Sequence, residues 1–127
     1  MRAIIAGSRG FDDYDMLSRC CDREIIGDNI EVVVGGARGA DTLGEKYAIS
    51  KGYNLKKFVP NWNVYGKSAG YLRNEEMAKY ASLSDNGILI IFWDGTSRGS
   101  SHMISLANKY KLKVRVIRYL DYQDILG

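Results

Sequence analysis

The sequence is poor in the residues that staple small proteins together. It has 2 cysteines and 1 histidine among 127 residues. The cysteines, Cys20 and Cys21, are adjacent, which suits no disulfide framework. Without a spaced set of Cys and His side chains there is no structural zinc motif, and no metal is expected. No apolar run approaches the roughly 18 residues that span a membrane. The opening MRAIIAGSRG has only a short apolar stretch and no small-residue cleavage region, so no signal peptide is expected. These absences suit a reducing cytoplasm. Charge of one sign is also scarce. A net charge of +3 admits anionic ligands of any size without requiring nucleic acid.

What is present is enough apolar residue, 46%, to build one core. Short apolar or β-branched runs alternate with helix-like ones. RAIIA (2–6), EVVV (31–34), NLKKFV (54–59), GILIIFW (87–93) and KVRVIRY (113–119) read as strands. Between them, 14–25, 42–52, 71–81 and 100–110 read as helices, with apolar side chains four apart. GILIIFW is apolar throughout, as a strand covered on both faces should be. This alternation predicts an α/β fold, a Rossmann-like doubly wound parallel sheet of about five strands with helices on both faces. Right-handed crossovers favour the order 3-2-1-4-5. The expected domain is 1–118, followed by a C-terminal tail, 119–127.

In such sheets ligands bind beyond the carboxyl ends of the strands, where the strand order switches. Four loops meet there, each with glycine and a basic residue. GSRGF after the first strand offers Gly7, Ser8 and Arg9. GGARGAD after the second offers Gly36, Ala37, Arg38, Gly39 and Asp41. The long loop after the third, PNWNVYGKSAG, leads to Arg73 and Asn74. WDGTSRGSSH after the fourth offers Trp93, Asp94, Gly95, Ser97, Gly99 and Ser100. Glycines before a helix let backbone N–H groups approach a phosphate, and the helix dipole favours the negative charge. GGARGAD has neither the Lys-Ser/Thr ending of a P-loop nor dinucleotide-fingerprint spacing. Asp41 argues against a phosphate directly on its helix end and suits a ribose hydroxyl instead. Each residue also has a plainer role. A loop arginine is commonly solvated, the serines suit turn and helix caps, Asp94 suits a turn, and His102 suits a structural position. Trp62 and Trp93 suit either the core or a stack on a base.

GSRGF, GGARGAD, KSAGYLRNEEM and WDGTSRGSSHMI, in that order, resemble the YspA-like branch of the SLOG superfamily over about residues 2–118. The resemblance implies a Rossmann-like nucleotide-binding fold, and its members usually form dimers or larger assemblies. Two relatives imply different functions. LOG-type phosphoribohydrolases carry Arg-Lys-x-x-Met, matched by Arg73 to Met77 with Asn74 in place of lysine. Their glycine-rich motif ends in a catalytic glutamate, and Met103 stands at that place here. A glycosidic oxocarbenium-like transition state is stabilised by a nearby carboxylate, which methionine cannot supply; Asp94, Asp41 or His102 would have to substitute, nothing in the sequence shows that one does, and no catalytic residue is assigned. DprA, which binds single-stranded DNA, carries a segment like GGARGAD, but the dense basic stripe expected of a DNA-binding surface is absent here.

The expectation is a small cytoplasmic, homo-oligomeric protein without a cofactor. Its partner would be a nucleotide or nucleotide derivative, with NAD- or ADP-ribose-like compounds as candidates. Serine, glycine and arginine of the loops would hold phosphate; Asp41, Asp94 and Asn74 would hold ribose; Trp93 or Tyr65 would stack on the base. A sensor and a sequestering protein, such as a viral countermeasure from a phage, use such a pocket equally well. A LOG-type hydrolase and a single-stranded DNA-binding module stand as alternatives, nucleic acid being the less favoured partner and a membrane none.

Overall fold

A computed structural model describes residues 1–121. Its five parallel strands lie in the order β3-β2-β1-β4-β5, as the alternation predicts. They are β1 (Arg2–Gly7), β2 (Glu31–Val34), β3 (Asn54–Lys57), β4 (Gly87–Trp93) and β5 (Lys113–Arg118). The helices are α1 (Tyr14–Glu24), α2 (Ala40–Lys51), α3 (Trp62–Tyr65), α4 (Ala69–Ser82) and α5 (Arg98–Lys109).

Alternate residues of a strand point to opposite faces, and the two halves of the core divide that way. Ala3, Ile5, Val32, Val34, Ile88 and Ile90 pack under α1 and α2, against Leu17, Cys21, Tyr47 and Ala48. Ile4, Val33, Leu89 and Ile91 pack under α4 and α5, against Met77, Ala78, Met103 and Ala107. Strand order explains the division. The chain winds outward from β1 to β3, then crosses to β4 and winds the other way, so right-handed crossovers put the two helix pairs on opposite faces. Covered on both sides, the central residues Ile88 to Phe92 of β4 are all buried. No helix of the described residues is long and apolar enough to cross a membrane.

Most element boundaries shift by one or two residues from the sequence reading, and three differences stand out. Helix α2 begins at Ala40, not 42, which places Asp41 inside its first turn. β3 ends at Lys57 because the ladder with β2 stops at Val34. The long loop holds a helical turn, α3, capped by Asn61, whose Oδ1 accepts from the Val64 N–H at 3.2 Å. Of the expected tail, 122–127 lies outside the described residues. Tyr119 is buried and packs edge-on against Phe11, with ring centroids 4.8 Å apart.

Candidate functional site

β1 and β4 pair in register to their ends, Gly7 opposite Phe92. Beyond that point their loops diverge to opposite faces, and a cavity of about 740 Å³ opens between them. Among the residues named from sequence, Gly7, Ser8, Arg9, Gly36, Ala37, Arg38, Asp41, Arg73, Asn74, Asp94, Ser97, Gly99 and Ser100 line it. Gly39, Trp93 and Gly95 do not.

Serine and carboxylate side chains join the loops to one another. Ser8 is 4% exposed. Its Oγ accepts from the Asp94 N–H at 3.0 Å and lies 3.3 Å from Ser97 Oγ, tying the β1 and β4 loops together. Asp94 Oδ1 accepts from the Thr96 and Ser97 N–H groups at 2.9 and 2.8 Å. Those bonds, Ser97's first, hold its carboxyl below the usual carboxylate range. Asp41 is 4% exposed, and its Oδ2 accepts from the Gly35 and Ala37 N–H groups at 3.1 and 3.3 Å. Burial pushes its carboxyl upward, against the charge of Arg73 and those backbone donors. Asp41 thus shapes GGARGAD from within, where the sequence suggested a ribose contact.

Two glycines of these loops, Gly7 and Gly39, answer to neighbouring backbone. Gly39 caps α2 at φ 78°. A side chain there would meet the Ser8 carbonyl and come within 2.6 Å of the Arg9 carbonyl. The β1 and β2 loops therefore pack directly on each other and form one wall.

Arg73 is half-buried on α4. Its Nε donates to Asn74 Oδ1 at 2.9 Å and its Nη1 donates to the Gly35 carbonyl. Burial lowers its pKa, partly offset by Asp41 and reinforced by Arg9. Arg9, Arg38, Lys67 and Arg73 all line the cavity. Among the described residues none of the four forms a direct ion pair, although the Asp41 carboxylate bears on Arg73. At the other wall α5 begins without an acidic residue in its first turn, and its Gly99 and Ser100 face the space. Four cations against two carboxylates, Asp41 and Asp94, and a helix N-terminus around one cavity are arranged to receive negative charge.

The aromatic expectation needs correcting. The Trp93 indole N–H donates to the Ser97 carbonyl at 3.1 Å, and its ring faces Arg118. That bond turns it away from the cavity, and Tyr65 does not line it either. Trp62 and Tyr71 do, and Trp62 is 52% exposed at the rim. Trp62 carried a sequence signal, an aromatic in an overlong loop; Tyr71 and Lys67 carried little, since only the fold of α3 and α4 brings them over the opening. His102 is not part of the lining. Its ring meets Tyr71 edge-on and Asn74 Nδ2 lies 3.4 Å from its Nδ1.

Comparisons with known proteins agree with the loop pattern. The family model for the YspA, cpYpsA-related SLOG family matches residues 1–65. The gene 61 protein of Mycobacterium phage D29 is similar, at 33% identity over 122 residues, covering 89% of this chain and 93% of that protein. No solved structure matches.

Proposed function

The chain belongs to the YspA, cpYpsA-related SLOG family, and from that premise we propose that it binds a nucleotide or nucleotide-derived anion in this cavity, as a sensor or a sequestering protein. NAD- and ADP-ribose-like compounds are the candidate ligands. One observation carries the reading: Arg9, Arg38, Lys67 and Arg73 converge on a single cavity whose two described carboxylates, Asp41 and Asp94, are already engaged by backbone N–H groups. Its volume of about 740 Å³ lies in the range of small-molecule sites, roughly 300–1,000 Å³. Trp62 and Tyr71 replace Trp93 as the aromatics able to stack on a base. The phage relative suits a sequestering role. We propose a homo-oligomer as well, since Val64, Tyr65 and Leu72 leave apolar surface exposed beside the rim.

A thermal-shift series over nucleotides is the direct test. A ligand at about 100 times its Kd stabilises the fold by about 2.7 kcal/mol, which raises the melting temperature by several degrees. Single-stranded oligonucleotides should bind weakly, with an affinity that falls steeply with salt, near −0.7 in log–log slope for each phosphate neutralised. Tight oligonucleotide binding at physiological salt, with no small molecule stabilising the fold, would replace this reading with the DNA-binding one.

The cavity also argues against glycosidic hydrolysis. Met103, at the place of the LOG glutamate, is 2% exposed and lines the cavity from the core, where it brings no carboxylate. Asp94, with its lowered pKa, has the charge to stabilise an oxocarbenium-like state but no proton to give a leaving base. The Asp41 oxygen that is placed already accepts two backbone N–H groups. Incubation with nucleoside 5′-monophosphates is therefore expected to release no free base above the uncatalysed rate. Efficient release, abolished by Asp94→Asn, would establish a hydrolase.

A further inference from the structure

We propose that His102 is a positioning residue for the anion site: acting through Asn74, and only as the neutral imidazole, it holds the guanidinium of Arg73 in place. The role assigned to Arg73 rests on the anion-binding reading above; the geometry that joins the three side chains does not.

The link runs from α4 to α5. Arg73 Nε donates to Asn74 Oδ1 at 2.9 Å, and Asn74 is 6% exposed. With its oxygen engaged, Asn74 turns its amide nitrogen to His102 Nδ1, 3.4 Å away. An amide nitrogen only donates, so Nδ1 has to accept and the ring proton belongs on Nε2. Tyr71, edge-on at 4.6 Å and 88°, braces the ring plane. A proton on Nδ1 would set donor against donor. Flipping the Asn74 amide would only transfer that conflict to Arg73 Nε. A charged His102 therefore frees Asn74, and Arg73 loses one of its two orienting contacts, keeping only the bond to the Gly35 carbonyl.

Few other charges reach the ring. Glu75, on α4, favours the imidazolium, but Lys79 and Lys109 share its carboxylate at 3.5 and 3.9 Å. β4 has no titratable side chain. On β5, Lys113 and Arg115 are paired with Glu24, and Arg118 with Asp121. Burial, the larger influence, lowers the His102 pKa. The neutral form is thus the one the fold favours. The contact is complete above the ordinary histidine value near 6.5 and is lost as pH falls through the lower folded value.

Simple attraction between an imidazolium and a bound anion would act with the opposite sign, so the two are separable. Coupling is reciprocal: positioning requires a bound anion to lower the His102 pKa, and attraction would raise it. The test is NMR titration of the His102 ring, free and with ADP-ribose, whose pyrophosphate does not titrate in this range. It is paired with affinity measured from about pH 7.5 to about pH 5.5, which brackets the histidine range. The expected results are an Nε2–H tautomer, a pKa lowered by ligand, and wild-type affinity that falls several-fold toward acid. H102Q, whose amide oxygen can accept from Asn74 at any pH, should bind as wild type does at neutral pH and lose the acid decline. H102L should bind several-fold more weakly throughout. An Nδ1–H tautomer, a ligand-raised pKa, or an unchanged pH profile in H102Q would overturn the proposal. Should ADP-ribose fail to bind at any pH, that ligand assignment fails, and the free protein decides the positioning role. An Arg73 Nε–H resonance that follows the His102 titration in wild type but not in H102Q upholds it; one that ignores the titration ends it.

Discussion

Gly39→Ala is expected to unfold far more readily than the native chain and to lose nucleotide binding. The residue sits at φ 78°, a conformation that costs an L side chain about 1–3 kcal/mol. Strain is the smaller part. The new methyl would press on the Ser8 carbonyl and come within 2.6 Å of the Arg9 carbonyl. Both are backbone atoms of the β1 loop, which cannot swing aside as a flexible side chain would. Ser8 is fixed in turn by its own N–H to the Phe92 carbonyl at 2.9 Å. The chain can relieve the clash only by parting the β1 and β2 loops, which also opens the cavity wall. A loss of roughly 3–5 kcal/mol is expected, in the range that marks a named structural failure, out of a total of about 5–15 kcal/mol. Urea denaturation measures it. Gly10→Ala, where nothing lies within 4 Å of the added carbon, is the matched control and should change stability by less than about 0.5 kcal/mol. A Gly39→Ala protein within about 1 kcal/mol of wild type would show that the loops are not packed as described, since the strain term alone reaches that size.

Arg73→Ala is expected to lose both affinity and stability, and the combination is diagnostic. On the ligand side, the missing charge-assisted bond costs roughly 1.5–3 kcal/mol, or about ten- to a hundredfold and more in Kd. On the protein side, the Gly35 carbonyl and Asn74 Oδ1 each lose their donor, and unmade bonds to buried groups cost about 1–3 kcal/mol. Read from sequence alone, an arginine near a helix start carries little of the fold. Its bond to a carbonyl of GGARGAD changes that. Arg38→Ala supplies the contrast: Arg38 is exposed on the same cavity, so its loss should weaken binding and leave the denaturation midpoint in place. Isothermal titration and urea melts of the two variants separate the outcomes. If Arg73→Ala binds as tightly as wild type, the anion site does not include it.

Strand order and the buried centre of β4 were legible because they depend on patterns within a few residues, apolar runs and their punctuation. The positions of the loops followed from strand order, which is why most of the named glycines, serines and arginines line one cavity. Side-chain direction and long-range partners were not legible. Trp93 ends a strand whose alternation says nothing of the Ser97 carbonyl that captures its indole. Asp41 reads as a polar residue at a helix start, and only the folded loop shows two backbone donors on one oxygen. The partner of Arg73 is a glycine carbonyl in another loop, and Asn74 is claimed by a histidine on the next helix. No local pattern encodes such pairings.

The pairing of β1 with β4 also sets a timetable. It joins Arg2 to Gly87 and Gly7 to Phe92, residues from early and late in the chain, so it closes a long loop before any contact repays the lost entropy. β2 and β3 can assemble on β1 sooner, but a cavity walled by the β1 and β4 loops exists only once that closure is complete. A ligand held there has nothing to grip in a half-formed chain. It will leave the refolding rate almost unchanged and act on the unfolding rate instead, so that the occupied protein is set apart by how long it persists.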